Sequence, residues 1–146
     1  MTTVTSQDWL LDNTLAPTVD SVSLAPLYEA AHRGELVLPF CAGCGQPLEL
    51  DQEICDRCGA SETDWRAVEL RGTVHSATLM HRSEPGLVRV QSPYPIVDTE
   101  LASGHRLVLT TVQPTDTAPR IDTAVSIGFR HLGDVAIPAI DTLEDQ

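Results

Sequence analysis

There is no lysine in this chain: all nine basic side chains are arginines, scattered rather than gathered into a patch. That absence excludes a P-loop lysine, a Schiff-base lysine and a catalytic ammonium group. With 21 Asp and Glu the net charge is −12, which argues against binding a phosphate backbone. Aromatic residues make up only 4% of the sequence, so a large apolar core must come from Val, Leu, Ile and Ala. No apolar run approaches the roughly 18 residues of a membrane span. The opening MTTVTSQDWLLDNTLAPTVD has neither the basic nor the apolar region of a signal peptide. A cytoplasmic location, without disulfides, is therefore the expectation. The 146 residues, 42% of them hydrophobic, suffice for one ordinary domain or two very small ones.

What the chain does have is four cysteines, all inside CAGCGQPLELDQEICDRCG. Cys41 and Cys44 form one CxxC pair, Cys55 and Cys58 another, and a glycine follows each (Gly45, Gly59). Such a glycine lets the backbone turn with positive φ, so that N–H groups face the sulfurs. Two knuckles joined by a short hairpin can place four thiolates tetrahedrally around one ion. A thioredoxin-type motif would need one pair in a βαβ context, which is absent. A rubredoxin-type iron uses the same ligand set as zinc, and spacing leaves both open; structural zinc is the favoured reading. Four protein ligands close the site to water and substrate, so it is expected to hold structure and not to catalyse.

Residues 1–22 read as a flexible polar arm in which Trp9, Leu10 and Leu11 form an apolar island. Ser23 as cap, Pro26 in the first turn and Gly34 as stop predict a helix over Ala25–Arg33, with His32 at its negative end. The helix and ribbon together span residues 23–64. ELVLPF leads as a strand into the first knuckle, and LELDQEI returns to the second. From Trp65 strands recur: RAVELRGTVHSATLMHR as one long run kinked at Gly72, then PYPIVDTEL, HRLVLTTVQ, TAVSIGFRHLG and DVAIPAID. The expected fold is mainly β: an N-terminal helix, a rubredoxin-like zinc ribbon, and a five-stranded OB-fold barrel over residues 65–141, with an acidic tail at 142–146. Leu36–Phe40, with Trp65 and the Leu27/Tyr28 helix face, are more apolar than a small ribbon requires. They either meet a partner or join ribbon to barrel. The GHR at Gly104–Arg106 reads as a hairpin turn and nothing more.

The order of these features resembles a known family. LYEAAHRGELVLPFCAGCG, ICDRCGASETDWRAVELRGTVHSATLMHR, SPYPIVDTELASGHRLVLTTV and DTAVSIGFRHL are similar, piece by piece, to the rubredoxin-like zinc-ribbon plus OB-fold proteins. That family was first described as a domain of unknown function and is associated with acyl-CoA metabolism. The resemblance covers about Leu24 to Ile140. It implies a non-catalytic accessory subunit beside a thiolase, a sterol-carrier-type aldolase, a thiolase-fold acyltransferase or a hotdog-fold enoyl-CoA hydratase. Such members stabilise the partner and shape its acyl-CoA site, and the chemistry lies on the partner. The chain departs from the family at Gln46–Asp51, where many members carry a Pro-Pro-Arg-like stretch. It departs again at Ser126–Phe129, where the glycine follows the Val instead of preceding it.

Two other functions have residues to support them. His75 and His81 lie on one strand six apart, a spacing that puts both on one face; with Arg71, Arg89 and Glu84 nearby they could serve as an acid/base pair. No nucleophile elbow, triad order or dinucleotide glycine motif accompanies them. An OB barrel also permits single-strand nucleic-acid binding, which the charge opposes. If CoA is shared with the partner, Arg82, Arg89 and Arg106 are the candidates for its phosphates.

Overall fold

The computed structural model describes residues 7–19 and 23–143; the remaining residues of the expected arm and tail lie outside that description. Among the described residues a 3-10 helix (Asn13–Leu15) and one α-helix, α1 (Ala25–His32), are followed by seven strands: β1 (Leu36–Cys41), β2 (Thr63–Val68), β3 (Arg71–Met80), β4 (Tyr94–Leu101), β5 (Arg106–Leu109), β6 (Ala124–Leu132) and β7 (Val135–Leu143). No helix of the described residues is long and apolar enough to cross a membrane.

Helix α1 buries Leu27, Ala30 and Ala31, the i, i+3, i+4 stripe, against β1 and β7. Its stop is a Schellman motif. Gly34, at φ 78°, donates to the Ala31 carbonyl and Glu35 donates to that of Ala30. At the other end Leu24, not Ser23, is the cap, and no side chain caps the helix. Pro26, which has no N–H to satisfy, reduces the need for a cap.

The strands form two sheets. β1 and β2 pair antiparallel from Leu36↔Val68 to Cys41↔Thr63. The other five form one curled sheet in the order β5-β4-β3-β6-β7. Its two edges meet beyond β5, where Ile140 donates to the Thr110 carbonyl (2.9 Å) and Val112 donates to the Ile140 carbonyl (2.8 Å). The parallel bridge Thr111↔Ile140 marks this seam. The expected run from Arg66 to Arg82 is in fact two strands. Glu69 and Leu70 interrupt it, and Thr63–Val68 pairs with the ribbon strand β1. LELDQEI forms turns and coil, touching β1 where the Leu48 N–H donates to the Pro39 carbonyl (3.0 Å). β7 runs on to Leu143, so the expected tail begins inside a strand.

Gly72 permits the close crossing of β3 over β4. A Cβ there would stand 2.4 Å from the Glu100 carbonyl oxygen, which is backbone and cannot swing away. Gly72→Ala is expected to lower stability by about 1–3 kcal/mol, read from the urea midpoint at unchanged slope.

Leu36 and Leu38 of β1 and Leu27 of α1 pack into one core with Val74, Val97, Leu109, Val125 and Ile140 of the barrel, and Tyr28 and Trp65 pack against it. Of the two readings of the apolar Leu36–Phe40 stretch, joining ribbon to barrel is the one observed.

Candidate metal centre

Each knuckle is built the same way. Gly45 donates to the Cys41 carbonyl (2.8 Å), and Gly59 donates to that of Cys55 (2.9 Å). Both glycines sit at positive φ, 80° and 77°. The turn closes when Cys41 donates to the Gln46 carbonyl and Cys55 to the Ala60 carbonyl. Two knuckles of one geometry face each other because β1 delivers the first and the Gln46–Asp56 hydrogen bond (2.8 Å) ties it to the second.

The four sulfurs lie within 4.8 Å of one another. Cys41 Sγ stands 3.5 Å from Cys58 Sγ, and Cys44 Sγ stands 3.7 Å from Cys55 Sγ. These are not disulfide distances, which are about 2.05 Å. A tetrahedron with metal–sulfur bonds of about 2.3 Å has edges of about 3.8 Å, so the thiols present fit one four-coordinate ion. Cys41 and Cys55 are buried while Cys44 and Cys58 are exposed, so such an ion would be held from inside the fold and shielded on its outer side only by two sulfurs.

Electrostatics point the same way. The Cys44 N–H, and more weakly that of Gly43, hold the Cys41 thiol down to about 6 against the effect of burial. The Ala60 N–H also favours the Cys58 thiolate, yet the Cys41 sulfur, burial and the other two sulfurs push it up to about 11. The Cys41 thiol gives up its proton readily, and the Cys58 thiol, hydrogen-bonded to that sulfur, resists losing its own. A cation among the sulfurs reverses that resistance.

A second set of contacts, missed in the sequence, fixes the ribbon to the barrel. His105 is buried, and its Nε2 lies 2.8 Å from the Pro39 carbonyl oxygen. Since a carbonyl only accepts, Nε2 carries the proton and Nδ1 accepts from the Ser103 hydroxyl (2.7 Å). The Phe40 ring meets the His105 ring edge-on at 4.9 Å, and the Arg66 guanidinium lies 4.9 Å from the Phe40 centroid. The GHR turn is thus a hairpin and also the joint between modules. Burial holds the His105 pKa below its ordinary 6.5. The unfolded chain therefore binds the proton more readily, so this contribution is complete above pH 6.5 and is lost as pH falls toward the folded value. The melting temperature is expected to fall between pH 7 and 5, and His105→Gln, which donates without titrating, is expected to flatten that fall.

The other candidates are dispersed. His75 sits at the β-bulge between Val74 and Ser76, and His81 lies past the end of β3; both are exposed. The bulge breaks the alternation that was to put them on one face, because one extra residue reverses every side chain beyond it. Arg82 is paired with Glu84, and Arg106 is clasped by both oxygens of Asp98. Arg106 stands opposite Glu100, whereas Arg82 lies beyond the Met80↔Tyr94 pair. Six residues of β4, about 20 Å, separate the two positions. Arg82 and Arg89 belong to the same β3–β4 loop.

Residues 65–130, somewhat less than half of the chain, match the family model described as "ChsH2, C-terminal OB-fold domain". No curated protein matches the sequence. A solved structure described as "Ltp2-ChsH2(DUF35) aldolase" superposes with a TM-score of 0.71 at 24% identity, covering 86% of this chain and 98% of that one. By sequence over the barrel, and by fold over most of its length, the chain is similar to these OB-fold proteins of the ChsH2 kind.

Proposed function

We propose that the protein is a non-catalytic, zinc-binding accessory subunit that docks on and supports an acyl-CoA-processing enzyme: a thiolase, a sterol-carrier-type aldolase, a thiolase-fold acyltransferase or a hotdog-fold hydratase. The observation that carries this reading is a tetrathiol ribbon sharing one core with an OB barrel, in a chain similar to the ChsH2 domain and to a solved aldolase assembly. The ligand set supports the choice of metal. Zinc imposes no geometry beyond the tetrahedron, has no redox chemistry, and is the common ion of closed four-thiolate sites. When bound, it neutralises the thiolates and ties the two knuckles together; the chain's own part is to aim backbone N–H groups at the sulfurs and to hold β1 in the common core.

The reading assigns the reaction to the partner. For any CoA shared between the two, the phosphate candidates are Arg82 and Arg89, which one loop carries, and Arg106; Arg82 would first have to release Glu84, and Arg106 would have to release Asp98.

The test is co-expression with thiolase-fold and hotdog-fold acyl-CoA enzymes of the native host. A stable complex in size-exclusion chromatography is expected, with aldol, thiolytic or hydratase activity lost when the partner's catalytic residue is changed. Failure to associate with any acyl-CoA enzyme of the native host overturns the proposal.

A further inference from the structure

The described part of the N-terminal arm crosses the end of the barrel, bending at Trp9 and Leu10 and passing into a 3-10 turn over Asn13–Leu15, and is held at separate points. Both oxygens of Asp8 take the fork of the Arg130 guanidinium, at 2.8 and 2.7 Å, with side chains only 2% and 8% exposed. The same carboxylate accepts the N–H groups of Leu10 and Leu11, and its pKa is lowered because these bonds, the Arg130 one foremost, outweigh the opposing effect of burial. The Trp9 indole donates to the Thr111 carbonyl at 2.8 Å, beside the barrel seam. Leu10 is buried, its carbonyl accepts from the Arg89 N–H (2.8 Å), and Leu11 bridges Val88 antiparallel. The Asn13 side chain accepts from the Gly133 N–H at 3.0 Å.

The partners of this segment define a place. Val88 and Arg89 belong to the loop between the first two barrel strands, β3 and β4. Gly133 belongs to the turn between the last two, β6 and β7. In OB barrels these two loops border the cleft in which extended ligands lie. A backbone bridge, a buried seat for one leucine, and a buried arginine fork for one carboxylate are means by which a groove recognises a peptide in trans. Here the chain meets all three requirements itself, and a groove of about 320 Å³ remains open alongside, lined by Gln7, Asp8, Trp9 and Arg130 among others.

We infer that the barrel end is a binding groove for a peptide carrying an anchoring carboxylate, and that its occupant in the free chain is the chain's own Asp8–Asn13. The segment acts as an in-cis ligand that closes the OB cleft and orders the β3–β4 loop. This inference does not depend on the metal or on the acyl-CoA partner. It also explains why an OB barrel of this kind would leave single-stranded nucleic acid unbound: the cleft is filled, and by an acidic segment.

The test uses the full chain carrying Asp8→Asn, which keeps the shape and removes the charge. Amide exchange at Leu10, Leu11 and Arg89 is expected to quicken about tenfold or more while β4 and β7 amides keep their protection. A labelled peptide QDWLLDNTL, residues 7–15, is expected to bind the variant and to bind the parent at least about tenfold more weakly, because the parent's own segment competes. Equal binding to both chains, no binding to the variant, or exchange that rises through the whole barrel in step overturns the inference. Should the variant not fold, Trp9→Phe deletes only the bond to Thr111; peptide binding to that variant above the parent supports the inference, and its absence overturns it.

Discussion

Removing the metal with a strong chelator is expected to disorder residues 41–62 and release one equivalent of zinc, measured by a colorimetric indicator alongside loss of amide protection at Cys41, Gly45, Cys55 and Gly59. The effect is large because little else holds that segment. Its own core is Cys41, Leu48 and Cys55 with Ala60 against them, and Ile54 beside it is exposed. So small a cluster cannot offset the conformational entropy of some twenty ordered residues, about 1–2 kcal/mol each for backbone alone. Structural zinc contributes on the order of 10–16 kcal/mol in comparable sites, enough to decide between ordered and disordered. Cys55→Ser is expected to reproduce the loss, since Cys55 is the buried cysteine of the second knuckle and its replacement leaves only three thiols for an ion. Recovery of metal-free protein with ordered knuckles, or with sulfurs oxidised to one another, would falsify the structural-zinc reading.

Leu38→Ala is expected to cost about 2–5 kcal/mol and to lower the melting temperature by on the order of 10 °C. Leu38 is fully buried (0% exposed) in the ribbon strand, yet its neighbours in the core include helix and barrel residues. The cavity would open where the three parts meet, and the surrounding strands, each fixed by its ladder, can relax into it only partly. Differential scanning calorimetry is expected to show one transition that moves as a whole, because a shared core makes ribbon and barrel unfold together. Two separate transitions, with only the lower one shifted, would show that the ribbon is an independent unit. Val37→Ala is the control: Val37 is only partly buried, and its truncation is expected to cost markedly less.

The parts legible in the sequence are those whose causes lie within a few residues. The CxxCG pairs determine a knuckle because the glycine and the N–H groups that satisfy the sulfurs follow at once; Gly45 and Gly59 take the positive φ that this requires. Gly34 closes α1 for the same local reason. The five barrel strands are legible by alternation and turn residues, and their order stands, although the first of them, expected from Arg66, begins at Arg71. His75 and His81 misled because alternation holds only while the ladder is regular, and a bulge at that position cannot be read from side-chain character. The break at Glu69–Leu70 was hidden too, since Thr63–Val68 is strand-like wherever it pairs and only its partner β1 takes it out of the barrel.

By itself, then, the amino-acid order determined a four-thiol ribbon behind a short helix and ahead of five strands, and it excluded lysine chemistry and a basic binding face. The tertiary structure alone decided that Asp8 answers Arg130 across 122 positions and that His105 reaches Pro39 across 66. It also decided that Leu27, Leu36 and Leu38 share one core with the barrel. A short-range pattern records what a segment prefers on its own, whereas a buried charge or imidazole is tolerable only once its distant partner has arrived, and nothing in the neighbouring residues encodes which partner that is.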